Sequence, residues 1–500
     1  MLKKKNSLLK TLFSVTSIVF LGKALGFVKQ IVVAGAYGAT IETDLISLAE
    51  GLTANIEYVI VQTLITAFVP IYLQAKSRSE AENRKFVSDA LKLFPLISAG
   101  LVGIIILLAP VLSRIIAPTY TAELSGRLAI YLRIFAPVLL LFTLQAIFHA
   151  LLNANEKFWP GQLIGCNQSI INIALTVFFG SLWGPNTLAV CFILYPLVNV
   201  VSLSIWSRNY WRIEKGLPEL SDSLRAMLRM LGPLLLGYAA IFVNQQVDKI
   251  IVSGMAPGTV TAMGYGATLS NFVATIIGTV CSVLYTRLSQ NVAAGNRREA
   301  ADFSIRAVER LIFIFLPISI ITVVCSKDIV SAVFLRGAFD EEAAIGAGYA
   351  LAGYAFSFVP TAVKSVFSRL QYGHNNTKWP MINNSIGIGG NILLSLLLYK
   401  PLGIFGVTLA SSAAELISAV LNVISAKKQA KELQLKRIWC HLPWWLAGGT
   451  VCVLLALWGQ TQFSGMGAFL RFMLITLLAG GGYALTAAPI LFKEFRRKRG

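Results

Sequence analysis

Two lysines and a series of acids stand inside stretches that are otherwise apolar. Lys23 and Lys29 fall in the first of these stretches; Glu42 and Asp44 open the second, which also carries Glu50 and Glu57. Lys23 lies roughly fifteen residues past Leu8, or about 22 Å at helical rise. That depth is too great for its ammonium to reach the near surface easily. A charge so deep in a bilayer costs a few kcal/mol and is retained where it faces a bundle interior or a wet cavity. Glycines 22, 26, 35, 38 and 51 let the surrounding helices approach closely or bend. Later in the chain, Asn391 and Ser395 share one helix face at i, i+4 spacing. With Asp248 they offer the oxygen donors of a monovalent-cation or proton site, although Asp248 beside Lys249 reads equally well as a local ion pair. Glu415 is either a coupling acid or a contact between the two halves of the chain.

These residues need a scaffold that holds them within a membrane. The chain has 500 residues, 56% of them hydrophobic and only 13% charged. A soluble domain carries about 25% charged residues, so composition alone defines a polytopic membrane protein. The apolar runs are about twenty residues long and do not alternate, which specifies helices and excludes a barrel. About fourteen spans are expected. Basic residues crowd alternate loops, among them Lys3–Lys5, Lys76–Lys85, Arg208–Arg229, Arg297–Arg298, Lys427–Arg437 and Lys493–Arg499. The opposite loops hold little beyond Arg114, Lys327, Arg336 and Lys400. The positive-inside rule therefore puts both termini in the cytoplasm. The net charge of +20 orients the chain and meets anionic membrane lipid, so no nucleic-acid partner is expected. The six cysteines form no CxxC pair and read as small buried hydrophobes.

The chain also repeats itself. Val28-Lys-Gln-Ile-Val-Val-Ala-Gly35 recurs as Val247-Asp-Lys-Ile-Ile-Val-Ser-Gly254, and Asn155-Glu-Lys-Phe-Trp-Pro160 recurs as Asn375-Asn-Thr-Lys-Trp-Pro380. The expected architecture is thus all-α: a six-helix lobe over 1–229, a second over 230–430, and two additional transmembrane helices over 431–500. Even-numbered repeats share one orientation and are related by an axis along the membrane normal, an arrangement suited to alternating access at a midplane site. No enzymatic apparatus is apparent. There is no Walker lysine loop, the three histidines have no zinc spacing, and no nucleophile elbow is present. The chain reads as a transporter and not as an enzyme, with no metal site, no catalytic residue and no cofactor.

The order of several motifs resembles the MurJ (MviN) family of the multidrug/oligosaccharidyl-lipid/polysaccharide exporter superfamily. Leu25-Gly-Phe-Val-Lys-Gln-Ile-Val-Val-Ala, Tyr37-Gly-Ala and Thr43-Asp44 are similar to its opening motif. Ala67-Phe-Val-Pro-Ile71, Leu151-Leu-Asn-Ala154, Phe334-Leu-Arg-Gly-Ala-Phe-Asp340 and Val363-Lys-Ser-Val-Phe-Ser-Arg369 follow in the family's order. The resemblance implies a flippase for an undecaprenyl-diphosphate-linked saccharide (lipid II or a related glycan precursor) in a bacterial cytoplasmic membrane. It also implies a groove for the lipid tail beside the C-terminal helix pair. Coupling would be to a monovalent cation or to the membrane potential, and glycan polymerases or cell-envelope synthases would be the partners. The family's two first-helix arginines fall on Lys23 and Lys29, which keep the charge but lose the bidentate fork. Its second-helix arginine falls on Glu57 and its eighth-helix arginine on Thr268. Lys364 and Arg369 are the expected replacements in the diphosphate site, and Lys29, Asp44 and Glu57 the expected gate. A cation-coupled multidrug-type exporter of the same superfamily is the competing reading, with Asp44, Glu50 and Glu57 holding a cationic drug. A scaffold within an envelope-assembly complex is a third.

Overall fold

The computed structural model describes residues 2–293, 296–374 and 376–497. The described residues contain helices and no strand, and twelve helical segments are long and apolar enough to cross a membrane. The expected all-α polytopic fold is borne out. One of the twelve segments is 52 residues long and carries a non-helical glycine, Gly403, near its middle. That length suffices for two passes, so a span number near fourteen is consistent with the helices.

The chain forms two compact units, the first made of residues up to Val260 together with Arg336–Phe339. Its helices are α1 (Leu2–Tyr37), α2 (Ile41–Arg78), α3 (Glu80–Ile116), α4 (Ala122–Phe135), α5 (Val138–Ala154), α6 (Trp159–Trp183), α7 (Asn186–Ser207) and α8 (Asp222–Ser253). Within it α1 lies along α6, and α2 is packed against α5 and α8. The α1–α6 contact is close because Gly22 and Gly26 face Cys166 and Ser169, respectively, with no side chain intervening. Phe68, Tyr72, Phe86 and Phe148 head the apolar core at one end of this unit. The second unit takes in α9 (Thr259–Ala293), α10 (Arg297–Val324), α11 (Ser326–Phe334), α12 (Glu341–Ala355), α13 (Phe358–Gly373), α14 (Lys378–Gln429), α15 (Lys436–Gln462) and α16 (Ala468–Arg497). Here α13 packs on α10 and α14, and the α15–α16 hairpin packs on α10 and α11. The compact units therefore part near Val260, past the 229/230 boundary drawn from the repeat, because α8 is packed on α2 and α3.

Backbone features recur at the interval of the repeat. Left-handed glycines close the α1–α2 turn at Gly38 and the α8–α9 turn at Gly258. Gly184, between α6 and α7, has φ 54° and ψ −146°, and Gly403 inside α14 has φ 57° and ψ −140°. Helix interruptions at Ala136–Pro137 and Phe356–Ser357 match in the same way. Such a glycine conformation excludes most side chains, so its return at a fixed interval marks a duplicated fold.

Candidate functional site

Asp44 is placed by a capping box. Thr40 Oγ1 accepts from the Thr43 N–H (3.3 Å), and the Thr40 N–H donates back to Thr43 Oγ1 (2.8 Å), which fixes where α2 begins. The buried Asp44 carboxylate then accepts the Gly258 N–H at 2.7 Å. The expected Lys29–Asp44 contact is not made: Lys29 lies eight residues, about 12 Å of helix, before the end of α1 at Tyr37. Around Asp44 the backbone is interlocked through glycines. The Ala338 N–H donates to the Gly35 carbonyl at 2.8 Å. A Cβ on Gly337 (φ +59°) would lie 2.1 Å from the Gly35 oxygen, and one on Gly38 (φ +63°) would lie 2.3 Å from the Ala338 oxygen. Gly258 approaches the Ala39 carbonyl just as closely, and Ser253 Oγ donates to the Ile116 carbonyl at 3.2 Å. Segments near residue 118 and residue 338, one repeat apart, are thus bonded to the ends of α8 and α1, respectively. Phe339, next to Ala338, is buried.

Lys23 is exposed and Lys29 half-buried; six residues apart, they project a third of a turn away from each other. Neither makes an ion pair among the described residues of its unit. Cys191 of α7 lies within the electrostatic reach of both Lys29 and Glu50. Glu57 is half-buried on α2, two turns beyond Glu50, and Tyr195 of α7 lies within reach of both acids. The sequence reading underestimated Lys249. Its ammonium lodges against α2, where a Cβ on Gly51 would lie only 2.1 Å from Nζ. Gln246 donates to the Gly51 carbonyl at 3.2 Å beside it. Gly51 is therefore the receptacle of a cation, a role that a glycine next to an acid signals only weakly in sequence.

In the second unit Lys364 is an anchored cation. Its Nζ lies 2.8 Å from Glu415 Oε1 and 2.6 Å from Oε2, and Thr361 Oγ1 donates to Oε2 at 3.2 Å. Arg369, further along the same helix, donates to Ser282 Oγ of α9 at 3.2 Å. Asn391 and Ser395 are buried and lie 3.5 Å apart on α14, as their spacing requires. Asp248 belongs to the first unit. Thr268 donates its hydroxyl to the Gly264 carbonyl of its own helix and brings no charge. The hairpin is held at two levels: Glu309 of α10 pairs with Arg437 at 2.7 Å, and Asp328 of α11 lies 3.4 Å from Arg471 and accepts from Gln460. Along the hairpin runs an apolar groove of about 630 Å³, lined by Ile312, Leu316 and Ile320 of α10, Val359 of α13 and Trp445 and Leu446 of α15.

Charged groups held inside long apolar helices, on a duplicated helical scaffold, define a multi-pass membrane transporter. The fold agrees with solved structures of that class. A structure of "Lipid II flippase MurJ, inward closed conformation" superposes with a TM-score of 0.80 at 21% identity, covering 96% of this chain and 99% of its own. An inward-facing multidrug resistance MATE transporter reaches 0.65 at 12% identity, covering 84% and 98%. A "Probable lipid II flippase MurJ" of Rhizobium tropici is 23% identical over 97% of this chain and 91% of its own length. One of Treponema pallidum (strain Nichols) is 22% identical over 84% and 82%. The family model described as lipid II flippase MurJ matches residues 33–478. The chain belongs to that family.

Proposed function

We propose that this protein moves a polyprenyl-diphosphate-linked saccharide, lipid II or a related glycan carrier, across the bacterial cytoplasmic membrane, with both termini in the cytoplasm. Lys29 is the observation that carries the reading: a half-buried cation in a membrane-spanning helix, without an ion pair among the described residues of its unit. A low-dielectric cation of this kind compensates a diphosphate in transit. Lys23 adds positive charge in the first unit; the second unit carries Lys364 and Arg369, and its apolar groove suits a polyprenyl tail. Glu57 and Thr268, at positions where the family carries arginine, favour a saccharide carrier other than lipid II as much as lipid II itself.

Complementation of a strain lacking the gene tests this. Lys23→Ala and Lys29→Ala abolish surface glycan at unchanged protein level, whereas Lys→Arg retains most of it. Removing one member of a desolvated charge pair costs about 2–5 kcal/mol, enough to lose binding at least tenfold. Wild-type glycan display by the double alanine variant sinks the proposal. Dye efflux lost on Asp44→Asn or Glu57→Gln, with Lys→Ala silent, would instead establish the multidrug reading.

A further inference from the structure

The Lys364–Glu415 pair occupies an unusual place for an ion pair. Lys364 lies nine residues before the end of α13 at Gly373, about 14 Å of helix, and Glu415 lies fourteen residues before the end of α14 at Gln429. Both are thus well inside membrane-spanning helices, with side-chain exposures of 20% and 33%. The carboxylate engages the ammonium through both oxygens, and Thr361 donates to one of them. The pair is well satisfied but reachable. An anion arriving at Lys364 meets a carboxylate already in place.

We infer that Lys364 and Glu415 form an exchange site, in which a diphosphate displaces Glu415 from Lys364 and Glu415 takes up a proton in its place. This rests on the proposed cargo. The chemistry follows from the cost of charge in apolar surroundings. A carboxylate whose ammonium partner has turned to another anion is left unpaired in a low dielectric, where the neutral acid is favoured. Water supplies the proton, which stays on the carboxyl while the cargo is bound. When the cargo leaves, Lys364 returns to Glu415 and the proton goes back to water. Among the described residues, Lys364 is the charged group paired with Glu415. On α13, Arg369 is turned to Ser282 of α9. On α10, Glu309 is held by Arg437, and Arg297, Arg298, Glu299, Asp302, Arg306 and Arg310 cluster in the half of the helix nearest its start. Beyond its acidic first turn, α12 carries no charged residue, and its two tyrosines are Tyr349, which is exposed, and Tyr354. On α14, Lys378, Lys400, Lys427 and Lys428 lie more than three turns from Glu415 along the helix.

The test uses the full chain in lipid nanodiscs with undecaprenyl diphosphate as the probe, between pH 7 and pH 8.5, above the phosphate ionisation near pH 6. Proton uptake is read with a pH dye in weak buffer. Because the complex holds one proton more than the free partners, wild-type affinity falls about tenfold per pH unit, and binding takes up about one proton. Glu415→Gln keeps the shape and the Thr361 hydrogen bond, so it binds with no proton uptake, a flat pH profile and higher affinity at pH 8.5. Glu415→Asp retains the slope and guards against a folding artefact. Lys364→Gln binds weakly and takes up no proton. An unchanged slope in Glu415→Gln, or wild-type binding without proton uptake, overturns the exchange site while leaving the flippase reading intact. Failure of the wild type to bind the probe at any pH overturns both.

Discussion

Gly337→Ala is the sharpest test of the glycine interlock around Asp44. At φ +59° an alanine is strained, and its Cβ would stand 2.1 Å from the Gly35 carbonyl oxygen. An alanine in the left-handed region costs roughly 1–2 kcal/mol. Relieving the overlap moves the segment away from α1 and breaks the Ala338 N–H···O=C Gly35 bond, worth about 1 kcal/mol net. Together these amount to about 2–3 kcal/mol, which lowers the population of the interlocked state roughly 30- to 150-fold relative to any state in which the segment is free. The assay is thiol labelling of the purified protein. Cys440, the one exposed cysteine among the six, is replaced by serine, and a cysteine is introduced at Phe339, which is 1% exposed. A small maleimide should label that cysteine at least tenfold faster with Gly337→Ala than without it, while Gly100→Ala, where a Cβ meets nothing within 4 Å, leaves the rate unchanged. Equal rates in the Gly337 pair, with an unaltered thermal midpoint, would refute the interlock as an energetic feature.

Two further outcomes are expected. In the apolar groove, a Cβ on Gly449 would meet Ile320 at 3.5 Å, an ordinary contact; Gly449→Ala should therefore be silent. Gly449→Phe should fill the groove and cut glycan export while thermal stability holds, and normal export by this variant would dissociate the groove from the lipid tail. In the charged first turn of α3, ahead of its apolar stretch, Glu82 is held below its ordinary carboxylate value, first by the Ser223 hydroxyl and then by Arg78. A carboxyl lowered in the folded state contributes stability that is present above its unfolded value, about 4.3, and lost as the pH falls through the folded one. Ser223→Ala should thus lower the thermal midpoint slightly at pH 6–7, with the gap from wild type closing below about pH 4; a gap that widens in acid would contradict the assignment.

Much of the architecture is legible in the one-dimensional chain. Twenty-residue apolar runs fix helices as the only spanning structure, because lipid offers no partner to an unpaired backbone group. The paired motifs at residues 28 and 247 announce a duplication that Gly38 and Gly258, and again Gly184 and Gly403, repeat in the backbone. Residue type alone identified Lys29 and Lys364 as embedded cations, since the penalty for charge in an apolar span does not depend on knowing its neighbours. Their partners were another matter. Asp44 bonds Gly258, more than two hundred residues away, instead of Lys29, and Lys364 meets Glu415 across two helices. Lys249 settles against Gly51, some two hundred residues earlier in the chain. Helical periodicity sets the face on which a side chain stands; which helix covers that face is decided by packing between segments distant in the chain. The charges were determined by the sequence, and tertiary structure alone decided which of them are already neutralised.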